Sequence, residues 1–265
     1  MAGFDPGRVR LRLTLRAGVV DAADVACERP AVARLLRGQP ADRAVALVPL
    51  IYSLCGKAQG IAAHAALAAA RGNPGTARVD AEALAEAARE HAWKLFVDWP
   101  KQLALAVDEG FFVRLQRAAP ERRKDMAGEL AAHALPAAMM ALLGTGDIDR
   151  LLAKRIAARL GELSEWLLDR PGTLGMVSAT CVEPGIGEAR VETARGGLLH
   201  RVALDGDRIA DYAITAPTDV HFAAGGDAAR WLEGLRGLPQ AEAEARAMRL
   251  VMAFDPCVPW DCAAS

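Results

Sequence analysis

The 265-residue chain has no excess of either charge: 32 Lys and Arg stand against 33 Asp and Glu, a formal net charge of −1. Without a basic surplus, nucleic acid and anionic membrane surfaces are poor partners, which leaves small molecules and proteins. No export signal opens the chain, since Met1-Ala2-Gly3-Phe4-Asp5-Pro6 lacks a basic region followed by an apolar core. The most apolar early stretch, 44–54, is too short to span a bilayer and runs into Gly56, Lys57 and Gln59. A soluble, cytoplasmic protein is expected, with neither nucleic acid nor membrane as a partner. The cysteines number five, Cys27, Cys55, Cys181, Cys257 and Cys262. An odd count in a long chain without an export signal argues against a disulfide framework, so reduced thiols are the default. Common catalytic signatures are missing too: no phosphate-binding Gly-Lys-Ser/Thr loop, no dinucleotide fingerprint, no Gly-x-Ser-x-Gly elbow, no His-Glu-x-x-His and no Cys-x-x-Cys. His64, His91, His133, His200 and His221 form no close pair.

What is present is ample apolar material, 52% of residues, enough to bury a sizeable core. Val9, Leu11, Leu13 and Leu15 alternate with Arg10, Arg12, Thr14 and Arg16, which predicts a half-buried strand with a solvated, charged edge. Residues 41–71 are Ala-rich and predict a helix, interrupted by Gly56 and Gly60 near Cys55, where another helix or a ligand approaches closely. Asn73-Pro74-Gly75 makes a turn. Asp80 caps a helix to about Phe96, with Leu84, Ala88, His91 and Leu95 on one stripe, and Trp99-Pro100 ends it. Further helices are expected over 121–143, kinked at Pro136, and over 147–168, capped by Asp147. Arg170-Pro171-Gly172 closes the helical half. Residues 198–204 and 208–214 read as a hairpin turning at Asp205-Gly206-Asp207. Helices over 227–235 and 240–252 follow, then a short tail. The whole is an α+β arrangement, predominantly helical, in one domain with three parts: 1–172, a small β unit at 173–222, and 223–265.

Three segments carry chemistry together: Tyr52-Ser53-Leu54-Cys55-Gly56-Lys57-Ala58-Gln59, then Glu192-Thr193-Ala194-Arg195-Gly196-Gly197-Leu198-Leu199-His200, then Ala253-Phe254-Asp255-Pro256-Cys257. The set, in this order, resembles the large subunit of nickel–iron hydrogenases. That family has an early Arg-x-Cys-Gly-x-Cys-x-x-x-His, a Glu-x-Pro-Arg-Gly-x-Leu leading into a hairpin, and a terminal Asp-Pro-Cys-x-x-Cys-x-x-His. Cys55 and Cys257 match the first cysteine of each pair, while Ala58 and Trp260 stand at the second. The first family histidine falls on Ala62, Ala194 replaces the proline, and Cys262 lies two residues beyond its motif position. At most three of the four thiolates needed for a nickel–iron centre are available.

These departures make the chain similar to the HupK/HoxV-type accessory proteins, shortened relatives of the large subunit. The resemblance implies a truncated large-subunit-like fold and a non-catalytic assembly role. The cargo is iron with two cyanide and one carbon monoxide ligands, held transiently, with no nickel. Iron so filled needs only a pair of soft donors, which the resemblance assigns to Cys55 and Cys257. Arg195 and Asp255 match the residues over the diatomic ligands, and the Arg fork of donors suits cyanide nitrogen. Cys262 either substitutes from a mobile chain end for the missing bridging thiol or is idle. Implied partners are maturation chaperones of the HypC/HypD type and the large-subunit precursor. Cys27 and Cys181 match nothing in the family and are expected to be inert apolar residues. The chain stops at Ser265 without the extension that catalytic large subunits lose on nickel insertion. Two other readings stay open: a metal-free chaperone that mimics the large-subunit surface, and a redox enzyme with an unusual metal site.

Overall fold

The alternating segment forms β1 (Arg8–Arg16), which pairs antiparallel with β2 (Val19–Glu28). A 3-10 turn leads to α1 (Ala41–Ile51) and α2 (Gly56–Ala70), then a two-residue strand, β3 (Arg78–Val79). The helical part contains α3 (Ala81–Trp93), α4 (Trp99–Gln102), α5 (Glu109–Arg117), α6 (Arg123–Ala132), α7 (Ala134–Ala141) and α8 (Asp147–Leu167). Four strands follow as a meander, β4 (Met176–Glu183), β5 (Ile186–Thr193), β6 (Gly196–Asp205) and β7 (Arg208–Thr215). Then α9 (Pro217–His221), α10 (Asp227–Leu232) and α11 (Gln240–Phe254) lead into β8 (Trp260–Ala264). This computed structural model describes residues 5–52, 54–170 and 172–265; the reading of the first four residues, of Ser53 and of the proline in the 170–172 turn lies outside the described residues.

The chain ends meet in a three-stranded sheet ordered β2-β1-β8. Val9, Leu11 and Leu13 are buried beneath it as expected. The Arg face is solvated but is not an edge: β8 runs parallel to β1, and Arg8 and Arg10 pair with Asp261 on β8 at 3.3 and 3.5 Å. The five-stranded sheet, ordered β3-β4-β5-β6-β7, is antiparallel throughout. Its β6–β7 turn has Gly206 at φ 58°, the left-handed conformation expected at Asp-Gly.

The Ala-rich region divides into α1, which ends at Ile51, and α2, which starts at Gly56. A Cβ on Gly56 would sit 3.0 Å from the Pro49 carbonyl oxygen, and one on Gly60 3.4 Å from the Pro49 ring, so the two glycines let α2 fold back against α1. On its other face α2 meets β5, where a Cβ on Gly187 would lie 2.2 Å from the Ala66 carbonyl oxygen. Trp99-Pro100 does not end its helix. A wide turn over 94–98, with Trp99 N–H donating to the Lys94 carbonyl, carries the chain into α4. Pro100 lacks the N–H that the Phe96 carbonyl would use, and Asp108 N donates to that carbonyl at 2.8 Å instead. The expected kink at Pro136 is a full break at His133, because the carbonyl four residues before a proline loses its donor. Gly146, not Asp147, holds the cap position of α8; Asp147 opens the helix, where its charge complements the helix dipole.

Phe96, Trp99, Phe111, Leu152, Ile156 and Leu163 form the centre of the helical core, with about 1.5–3 kcal/mol from each fully buried large side chain. Among the described residues no helix is long and apolar enough to cross a membrane. Three chain elements converge beside this core: the start of α2, the β5–β6 turn and the end of α11.

Candidate metal centre

Cys55 occupies the position before α2, and Cys257 lies just after α11 in the run to β8. Remote in sequence, they line one cavity of 580 Å³ with Arg29, Tyr52, Ile51 and Val258. The first amides of α2 do not serve Cys55: Glu86 on α3 accepts from Lys57 N and Ala58 N at 2.8 and 3.0 Å. Burial, and then the neighbouring Cys257, push the Cys55 thiol up to about 12. Two contacts oppose this: the Gln59 amide donates to Cys55 Sγ at 3.6 Å, and the Arg195 charge lies nearby. Cys257 is held by Thr218, whose hydroxyl accepts from Cys257 N at 3.0 Å and donates to its sulfur at 3.3 Å. Without a cation, Cys55 is a neutral and unreactive thiol. A soft divalent metal would displace the Cys55 proton, coupling binding to proton release.

Arg195 is placed by the tight turn of the β5–β6 hairpin, where Thr193 pairs with Gly196. Its side chain is buried; Nε donates to the Asp255 carbonyl oxygen at 3.0 Å, and Nη2 to Glu90 Oε2 at 2.8 Å. Burial alone would lower its pKa, but Asp255, Glu90 and Cys257 more than reverse this, so it stays charged. Asp255 ends α11 in the left-handed conformation, φ 48°, with its carboxylate buried. Lys94 Nζ lies 2.8 Å from one oxygen; Arg159 Nη2 donates to the other at 2.6 Å.

No protein-family model matches the chain. It is 29% identical, over 96% of its own length and 98% of that protein's, to the hydrogenase expression/formation protein HupK of Azotobacter vinelandii. Over 168 residues, 58% of this chain and 41% of the other, it is 38% identical to the hydrogenase expression/formation protein HoxV of Cupriavidus necator. The chain is thus similar over nearly its whole length to proteins of the HupK/HoxV type. Among solved structures, an NAD+-reducing [NiFe]-hydrogenase superposes with a TM-score of 0.59 at 14% identity, covering 91% of this chain and 93% of the other. The fold is that of the nickel–iron hydrogenase large subunit, with helices and both sheets.

The second-cysteine positions of this chain hold no donors. Ala58 is buried against Ala62, Val177 and Leu198. Trp260 opens β8 opposite Val9. Cys262 is not on a mobile end: it sits within β8 opposite Leu11, and the chain continues hydrogen-bonded to Ser265, whose N donates to the Leu13 carbonyl oxygen at 3.0 Å. It does not line the thiol cavity. Among the described residues no group of three His, Cys, Asp or Glu converges to cage a metal, which leaves the Cys55–Cys257 pair. His64 is exposed on α2. Cys27, which matches nothing in the family motif, is nevertheless a neighbour of the thiol pair. It is on β2 near the site; burial and then Asp219 push its thiol up to about 11, with Cys257 also raising it.

Several neighbours of the candidate site escape the motif. Arg29 lines the cavity and pairs with Asp219 at 2.8 Å. Glu90, Lys94 and Arg159 complete the buried ion cluster around Asp255 and Arg195. Arg159 could have been found from periodicity, since it shares the apolar stripe of α8 with Leu152, Ile156, Leu163 and Leu167. Its guanidinium lies 4.8 Å over the Trp99 ring, and Nη1 is 3.2 Å from His91 Nδ1. Arg only donates, so His91 carries its proton on Nε2, which lies 2.8 Å from Glu162 without hydrogen-bond alignment.

Two buried histidines set an acid limit. Burial depresses His91 to about 4 and His200 to about 3. Their unfolded values lie near 6.5, so the unfolded chain binds protons first as pH falls. Their stabilising contribution is whole above pH 6.5 and drains away towards pH 4 and 3. At pH 5 the loss is roughly 2 kcal/mol for each histidine. Urea unfolding at pH 7 and pH 5 measures it; equal stabilities at the two pH values would contradict the assignment.

Proposed function

We propose that this chain is a hydrogenase maturation scaffold. Cys55 and Cys257 hold iron with two cyanides and one carbon monoxide, and pass the unit on to the large-subunit precursor. The observation that carries this reading is the meeting of these two thiols in one cavity, with Arg195 fixed beside them. Iron(II), two cyanides and two thiolates together bear a charge of −2, and the guanidiniums of Arg29 and Arg195 flank that charge. With Nε held by Asp255 and Nη2 by Glu90, Nη1 is the donor that Arg195 would offer to cyanide nitrogen. The role is one of holding and transfer rather than catalysis, and it belongs in the cytoplasm with the precursor. Leu35 and Leu50 are exposed at the cavity mouth, 73% and 78%, which suits handover between proteins. The delivering partner is a maturation chaperone of the HypC/HypD type.

Infrared spectroscopy of protein isolated anaerobically from cells with the full maturation machinery tests the reading. Cyanide and carbon monoxide stretches and stoichiometric iron without nickel are expected. Iron-free protein with no such bands would leave the metal-free chaperone standing; stoichiometric nickel would restore the enzyme.

A further inference from the structure

Behind Cys55 runs a buried polar chain that the scaffold reading does not use. Gln59 lies one turn into α2, and His200 and Tyr212 come from β6 and β7; all three are buried. Tyr212 OH lies 2.9 Å from His200 Nδ1, His200 Nε2 lies 2.9 Å from Gln59 Oε1, and Gln59 Nε2 lies 3.6 Å from Cys55 Sγ. With its carbonyl oxygen facing His200, Gln59 fixes the direction of every bond. His200 Nε2–H donates to that oxygen, His200 Nδ1 accepts from the Tyr212 hydroxyl, and the amide N–H is left for the sulfur. The imidazole is neutral in its buried position, so one ring nitrogen donates and the other accepts.

The opposite direction is equally self-consistent on paper. The amide would turn over, His200 would carry its proton on Nδ1, and the amide oxygen would accept an S–H. That arrangement serves only a protonated thiol. A sulfur bonded to a metal has no proton to give and can only accept. We infer that Gln59 is a positioning residue for Cys55, locked by His200 and Tyr212 so that its N–H meets a metal-bound sulfur before any metal arrives. The inference rests on the reading of Cys55 as a ligand. It also accounts for His200, the last residue of the Arg195 segment, which is not a ligand but sets the amide that faces one.

The consequence for bound iron is electronic. A donor on the thiolate draws lone-pair density away from iron, which weakens back-donation and raises the carbon monoxide stretch. Loaded Gln59→Leu protein should keep its bands but show carbon monoxide at lower wavenumber than wild type. Tyr212→Phe, which frees the histidine tautomer, should shift the band the same way by less. A merely structural role for Gln59 would change yield or stability and leave the band position unmoved. In unloaded wild-type protein, nitrogen-15 NMR of the His200 ring should show the proton on Nε2. An unshifted carbon monoxide band in Gln59→Leu, or an Nδ1–H tautomer in the unloaded protein, overturns the inference. If wild type itself lacks the bands, the scaffold reading falls, and the tautomer alone decides whether the chain is set as described.

Discussion

Asp255→Asn should lose about 3–5 kcal/mol of folding stability at pH 7, the range found when one partner of a buried ion pair is removed. Asn is chosen because it tolerates the left-handed backbone at this position, φ 48°, so the substitution removes charge and little else. Three cations face this one carboxylate: Lys94 at 2.8 Å, Arg159 at 2.6 Å and Arg195 at 3.3 Å. Glu90 and Asp98 remain to neutralise Arg195 and Lys94, but among the described residues Arg159 keeps direct contact with neutral His91 and the Trp99 ring alone, with the Glu162 charge farther off. Burial by itself would raise the Asp255 carboxyl; Arg195, Arg159 and Lys94 more than reverse that and hold it well below the usual carboxylate range. Its contribution is therefore present above an unfolded value near 3.9 and is lost as pH falls below it. Urea unfolding of wild type and variant should show the gap at pH 7 and a narrower one at pH 3. A gap that is absent at pH 7 would mean that the cluster does not depend on this charge.

How much of this was legible in the sequence depends on the range of the interaction. β1 announced itself because its period of two is local. β2 did not, because Val19 to Glu28 has no clean alternation, and β8 read as a tail because five residues become a strand only through pairing with β1. Cys55, Arg195, Asp255 and Cys257 were found by motif, and the structure brings both thiols to one cavity, with Arg195 and Asp255 hydrogen-bonded to each other beside it. Gln59, Glu90, Lys94 and Arg29 were not found, since each takes its role from a partner on a remote element. Periodicity held clues that a motif search passes over. Arg159 and His91 both occupy apolar stripes, and a polar group in such a place must find its partner inside the protein. Trp99-Pro100 misled because proline is read as a stop, whereas here a wide turn carries the chain through and Asp108 N serves the carbonyl that the proline leaves without a donor.

The largest expected effect belongs to the thiols. Cys55→Ala and Cys257→Ala should each abolish the cyanide and carbon monoxide bands of anaerobically isolated protein while leaving the fold intact. Two donors are what the cavity offers, and one thiolate cannot chelate. The choice of control matters. Cys27 stands near Cys257 and Arg29, so Cys27→Ala could disturb the site without any ligand being lost. Cys181 is the clean comparison: it lies half-exposed on β4, in the other sheet, with its sulfur donating to the Glu183 carbonyl at 3.3 Å. Cys181→Ala should keep iron and both sets of bands. Cys262→Ala separates two further cases. If β8 stays paired with β1, its removal costs a little packing and no metal; if the strand peels away to lend its thiol, the bands shift or weaken. Small apolar burial as the only role of Cys55 and Cys257 predicts the reverse of all this, a modest loss of stability with iron retained. Full iron occupancy with unaltered diatomic bands in both single variants would end the scaffold mechanism, whatever the fold resembles.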